Sequence, residues 1–164
     1  MIIEMPSRIL SIRMNLKLAE IIGTVFYVGR SPVAPGTMGS AVALLVWYFL
    51  KPAIIDPLFL LITGGLFFIG IAVSTVLIDA WNEKDPSAIV IDEWVGMWIS
   101  LYLVPHEILW GLIAFLFFRL FDIFKPGPVQ NFDDMDDAIG VMMDDVVAGI
   151  LSCLVTQSLL FFNQ

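Results

Sequence analysis

Two pairs of adjacent carboxylates stand inside apolar sequence: Asp92–Glu93 in "IVIDEWVGMWISL" (89–101) and Asp144–Asp145 in "GVMMDDVVAGI" (140–150). Ionised acids are costly to bury, so such placement needs a compensating partner. If the pairs converge, the acids repel one another, and a divalent cation removes that cost by supplying opposite charge. An all-oxygen ligand set favours Mg²⁺, Mn²⁺ or Ca²⁺ over zinc. The chemistry this would support is metal-assisted attack on an anion, because a metal polarises a phosphoryl oxygen and acidifies bound water. The competing account is that acids near a helix start merely complement the helix dipole. That account suits Asp133 and Asp134 and stays open for Asp136 and Asp137. It suits Asp92, Glu93, Asp144 and Asp145 less well, because Asn or Ser would cap at lower cost.

Two further stretches could handle a phosphate. In "FRLFDIFKP" (118–126), Arg119 and Asp122 are three apart, as are Asp122 and Lys125. One reading is an intrahelical ion pair worth a few tenths of a kcal/mol; the other has Asp122 joining the acid cluster while Arg119 or Lys125 receives phosphate. In "GRSPVAPGTMGS" (29–40), Gly36 and Gly39 free the backbone, and Ser31, Thr37 and Ser40 offer hydroxyls. A helix starting near Thr37 would present unpaired N–H groups to an anion, although the stretch also reads as a plain Pro/Gly turn. It lacks the P-loop pattern. His106 is expected on the face opposite the acids, which argues against histidine phosphotransfer and a Ser-His-Asp triad. Cys153 lies in an apolar run without thiolate-stabilising neighbours and reads as a packing residue.

The elements that must position these groups follow from composition. The 164 residues are 59% hydrophobic and 15% charged, with mean hydropathy +0.92. Soluble domains carry about 45–50% apolar and about 25% charged residues, so the chain reads as one integral membrane domain spanning 1–164. Apolar runs over 37–50, 58–78, 86–104, 108–124 and 146–162 predict an all-α bundle of about five membrane-embedded helices. Residues 1–25, which show no signal-peptide cleavage pattern, are expected to form a retained cytoplasmic or interfacial segment. With five crossings and a cytoplasmic N-terminus, Arg8, Arg13, Lys17, Arg30, Lys84, Arg119 and Lys125 fall on the cytoplasmic side and Lys51 alone outside. That topology brings the Pro/Gly turn, both acid pairs and the "RLFDIFK" segment to one membrane face. Gly96 and Ser100 follow the first acid pair at helical spacing, and Ala148, Gly149, Ser152 and Thr156 follow the second. Such small-residue stripes let membrane helices approach closely. The net charge of −8, with six aspartates within residues 133–145, argues against nucleic acid as a partner.

"SPVAPGTMGS", "IVIDEWVGMWISL", "FRLFDIFKPGPVQNFD" and "GVMMDDVVAGI", in this order, together resemble the bacterial phosphatidylglycerophosphatase A family, from about Tyr27 to Gly149. The resemblance implies Mg²⁺-dependent removal of the terminal phosphate of phosphatidylglycerophosphate, in an all-helical protein of the bacterial cytoplasmic (inner) membrane. It places the family's motif acids on Asp92, Glu93, Asp122, Asp144 and Asp145. Its polar turn falls on Ser31, Pro35, Gly36 and Thr37, and its basic positions on Arg119 and Lys125. One departure is the linker "DMDDAI", where a basic, glycine-containing stretch is expected. The expected arrangement has Asp92, Glu93, Asp144 and Asp145 holding Mg²⁺. Asp122 completes the shell or positions a water, and Arg119, Lys125, Ser31 and Thr37 hold the phosphate. The rival is a small cation- or proton-coupled transporter, which also buries acids in helices. Transport sites, however, lie near the midplane between repeated halves, and no repeat is evident here.

Overall fold

The computed structural model describes residues 15–83, 85–135 and 137–163. They fold into helices α1 (Leu16–Gly23), α2 (Pro35–Leu50), α3 (Asp56–Trp81), α4 (Ile91–Ser100), α5 (Ile108–Phe124), α6 (Pro128–Asp133) and α7 (Ala138–Phe162). No strand occurs among the described residues, in line with the all-α expectation. Arg8, Arg13, Lys84 and Asp136, and the first 14 residues of the expected interfacial segment, lie outside the described residues. The remainder of that segment forms α1, which docks on α3 through buried Ala19 and Gly23.

Each of the five apolar runs contains a helix, but the count of five membrane-embedded helices is not supported. Among the described residues, only α3, with 26 residues, and α7, with 25, are long and apolar enough to cross a membrane. Helix α2 has 16 residues, α5 has 17 and α4 has 10, short of the roughly 20 a span requires. The reason is clearest for α4. The run over 86–104 spends its first residues on a loop containing Pro86 and its last on a turn in which Leu103 is left-handed. What remains is a helix about 15 Å long, with Ile91, Asp92, Val95, Gly96, Met97, Trp98 and Ser100 all buried. A helix apolar on nearly every side is what a central, protein-covered position demands.

Helix α4 packs chiefly on α7, and also on α2, α3 and α5. At the α4–α7 crossing, a methyl group on Gly149 would collide with the Gly96 carbonyl oxygen. One on Gly96 would come within 2.5 Å of the Asp145 carbonyl oxygen. One turn on, Ser100 and Ser152 share a hydrogen bond of 2.5 Å, and the Ser152 hydroxyl lies 2.9 Å from the Ala114 carbonyl of α5. The small-residue stripes therefore face inward and set the closeness of this contact. From α2, the Ala43 carbonyl accepts the Trp98 indole N–H at 3.0 Å.

Helix α7 starts earlier than the apolar run implies. The Asp137 carboxylate accepts the Gly140 N–H at 2.8 Å and caps the helix at Ala138. Asp144 and Asp145 thus lie inside the helix, in its second turn, rather than at its head. The loop before α4 is clamped from the other side. The Gly23 carbonyl accepts the Val90 N–H at 2.8 Å, and Gly29 lies so close to the Ala88 carbonyl that no side chain fits there.

Candidate active site

Five segments meet in a cleft of about 300 Å³. Pro35 and Gly36 come from the start of α2, and Asp85, Ser87 and Ile89 from the loop before α4. Asp92 and Glu93 come from the first turn of α4, Arg119, Asp122 and Lys125 from the end of α5, and Asp144 and Asp145 from α7. Both acid pairs and the basic segment, far apart in sequence, therefore do converge.

Asp92, Glu93 and Asp145 form the tightest group: each offers a carboxylate oxygen, and the three lie within 4.8 Å of one another. Asp92 and Asp145 are buried. Glu93 Oε2 and Asp145 Oδ1 are shielded from solvent and have no hydrogen-bond partner among the described residues. Buried carboxylate oxygens left unpaired are expensive. Three anionic oxygens that share one small volume fit a hard divalent cation by number and ligand type. The start of α2 is shaped around this group, since a methyl on Gly36 would fall on Glu93 Oε1.

Asp144 lines the same cleft but turns to a cation instead. Its Oδ2 accepts from Lys125 Nζ at 2.9 Å, and its Oδ1 accepts the Asp145 N–H at 2.9 Å. Asp92 Oδ1 holds the Glu93 N–H in the same way, at 2.9 Å. Three of the four expected metal ligands are thus gathered, and the fourth is ion-paired beside them. Asp122 is paired with Arg119 at 2.5 Å. The intrahelical ion pair is present, and Asp122 also lines the cleft, outside the group formed by Asp92, Glu93 and Asp145. Arg119 Nη1 reaches Ser40 Oγ at 3.4 Å, and its buried Nε has no partner among the described residues.

Lys125 ends α5 in a left-handed conformation, φ 44°. Its ammonium bridges Asp144 and Asp133. Burial alone would lower its pKa, but the hydrogen bonds to Asp133 and Asp144 outweigh that and hold it above the ordinary lysine value. Ser31 and Thr37, expected to help bind phosphate, do not line the cleft. The Ser31 hydroxyl donates instead to the Val33 carbonyl at 2.9 Å, closing a local turn. The helix begins at Pro35 rather than Thr37, and no side chain caps it, so it is the Gly36 backbone that reaches the cleft.

Two polar lining residues, Asp85 and Ser87, were not among the expected site residues. They precede α4 in a short polar loop, and the one signal for them was their closeness to an acid-bearing helix. His106 bonds the Tyr48 carbonyl at 2.7 Å near the far end of α2, away from the cleft as expected. Cys153 contacts the Tyr102 carbonyl at 3.7 Å and takes no part in the cleft.

The model of the family described as phosphatidylglycerophosphatase A matches residues 21–160. A Bacteroides thetaiotaomicron protein with the provisional name phosphatidylinositol-3-phosphatase is 43% identical over 145 residues, covering 82% of this chain and 89% of that protein. Phosphatidylglycerophosphatase A of Escherichia coli strain K12 is 34% identical over 135 residues, covering 81% of this chain and 78% of its own. The Haemophilus influenzae protein of the same name is 36% identical over 124 residues, covering 74% and 76%. No solved structure matches the chain. With a family match across most of its length and relatives of this identity and coverage, the chain belongs to the phosphatidylglycerophosphatase A family.

Proposed function

We propose that this phosphatase hydrolyses the phosphomonoester of phosphatidylglycerophosphate to phosphatidylglycerol and phosphate, with Mg²⁺ held by Asp92, Glu93 and Asp145. The observation that carries the reading is the composition of the cleft. Three clustered carboxylates, those of Glu93 and Asp145 with unpartnered oxygens, share one cavity with Arg119 and Lys125. Bound to those carboxylates, Mg²⁺ would offset most of their charge and polarise a phosphoryl oxygen.

The chain's own residues supply the rest. Arg119 offers a planar fork of N–H donors suited to phosphate oxygens; Asp122 fixes its orientation. Lys125 adds a second cation to the same cleft, and the uncapped start of α2 at Gly36 favours an anion there. Asp144, steadied by Lys125, and Asp122 are the carboxylates placed to orient the attacking water. Water adds to phosphorus, the P–O bond to the glycerol oxygen breaks, and that oxygen leaves as the lipid alcohol.

The lipid tails remain among apolar side chains. Helices α3 and α7 cross the bilayer of the bacterial cytoplasmic membrane, with Leu61, Phe68 and Leu154 exposed on their outer faces. Arg119 and Lys125 stand at the cleft end, whereas Lys51 pairs with Asp56 at the opposite end of α2. This charge bias supports a cleft on the cytoplasmic side.

The experiment is phosphate release by the purified protein in detergent, with phosphatidylglycerophosphate and phosphatidylinositol 3-phosphate assayed side by side. Preferential turnover of phosphatidylglycerophosphate is expected. The name of the 43% identical relative favours the second lipid, and a tenfold preference for it would replace the first substrate. Release from neither lipid would return the acid cluster to the transporter reading.

A further inference from the structure

With the cleft read as a phosphomonoester site, its Lys125 has a second role to account for. The Lys125 ammonium is shared between Asp144, whose side chain is 10% exposed, and Asp133, whose side chain is 31% exposed. Asp144 lines the cleft; Asp133 does not. Lys125 therefore stands between the cavity and an acid at the protein's outer edge. An ammonium has three N–H donors. Two are committed to carboxylates, leaving at most one for a phosphate in the cleft.

Asp133 is held in place independently of Lys125. It is the last residue of α6, a single short helix anchored by Val129, which is buried. The end of α6 abuts α7, where a side chain on Gly140 would strike the Phe132 carbonyl and Met135. Gln130 Nε2 reaches Asp133 at 3.5 Å and Asp134 at 3.1 Å. The Asp133 carboxylate is thus fixed within reach of Lys125, ready to take it back once a competing anion departs.

We propose that Asp133 is a positioning residue that competes with the phosphoryl group for Lys125 and thereby sets how tightly the phosphate product is held. When the phosphomonoester enters, Asp133, the more solvated of the two acids, gives up its share of the ammonium at the lower cost. When phosphate forms, Asp133 reclaims the ammonium and weakens the grip on the product. Asp144 stays bound to Lys125 throughout and keeps the side chain at the cleft.

The test is calorimetric titration of inorganic phosphate into the purified protein with Mg²⁺ present, alongside lipid turnover. Asp133→Asn is expected to bind phosphate roughly threefold to tenfold more tightly than wild type, the effect of removing one partly exposed competing charge. Its KM for the lipid should fall, and its kcat should fall too as release becomes slow. Asp133→Glu should restore wild-type phosphate affinity within about twofold. Asp134→Asn removes the same formal charge from a residue whose contact is Gln130, not Lys125, and should leave phosphate affinity unchanged. Three results would overturn the proposal: unchanged affinity in Asp133→Asn, equal tightening in Asp134→Asn, or no measurable phosphate binding by any form. The two readings also fail separately. Tighter phosphate binding in Asp133→Asn without lipid turnover removes the lipid substrate and keeps the competition. Lipid turnover with unchanged phosphate affinity removes the competition and keeps the substrate.

Discussion

Gly36, in the first turn of α2, lies against the carboxylate of Glu93 in the first turn of α4: a Cβ on Gly36 would take the position of Glu93 Oε1 and stand 3.3 Å from Arg119 Nη1. The obstacle is the free end of a flexible side chain rather than backbone, so it can move aside. Gly36→Ala should therefore fold normally, with a melting temperature within about 3 °C of wild type. Displacing Glu93 from Asp92 and Asp145 should nevertheless lower kcat/KM by at least about tenfold, a barrier change of about 1.4 kcal/mol. Parallel thermal-melt and phosphate-release assays check this split.

At the α4–α7 crossing stability and activity are expected to fall together. A methyl on Gly149 meets the Gly96 carbonyl, which is backbone in a rigid helix. Gly149→Ala should destabilise by about 1–3 kcal/mol through overpacking, seen as earlier unfolding in a denaturant or thermal series. Because α4 and α7 also carry Glu93 and Asp145, activity should fall in proportion as the two helices separate.

Arg119→Lys keeps the charge and discards the fork that Asp122 orients. Lysine is a point charge without bidentate geometry. We expect a roughly tenfold or greater loss in kcat/KM, with most of it in kcat if the fork acts in the transition state. Steady-state kinetics on the lipid, with Asp122→Asn beside it as a variant that loosens the fork and leaves Asp144 to orient the water, would rank the two. The asparagine variant should be the milder.

How far the sequence reached depends on the kind of question. Acids within apolar runs signalled the cluster because a buried carboxylate needs a partner wherever it sits, and Asp92, Glu93 and Asp145 are gathered accordingly. The stripes beginning at Gly96 and Ala148 signalled the α4–α7 contact for a similarly local reason. Helix number and length were less legible. An apolar run records burial without saying whether lipid or protein does the burying, so the ten-residue core helix α4 reads like a truncated span. The role of Asp144 was also hidden. Adjacent residues on a helix point about 100° apart, and only the fold decides that Asp145 meets α4 while Asp144 meets Lys125. Ser31 and Thr37 do not line the cleft; the Ser31 hydroxyl closes its own turn, which a hydroxyl in a Pro/Gly stretch does as readily as it binds a ligand.

The cation is the central claim, and its most direct test is thermal stability with and without Mg²⁺ in wild type, Asp145→Asn and Asp92→Asn, read beside phosphate release. Without metal, each asparagine variant should melt above wild type, because a buried unpaired charge has been removed. Mg²⁺ at about a hundred times its Kd should raise the wild-type melting temperature by roughly 5–10 °C and switch on phosphate release, while leaving the variants unmoved and inactive. A wild-type protein that neither gains stability from Mg²⁺ nor loses turnover in excess chelator would contradict the account.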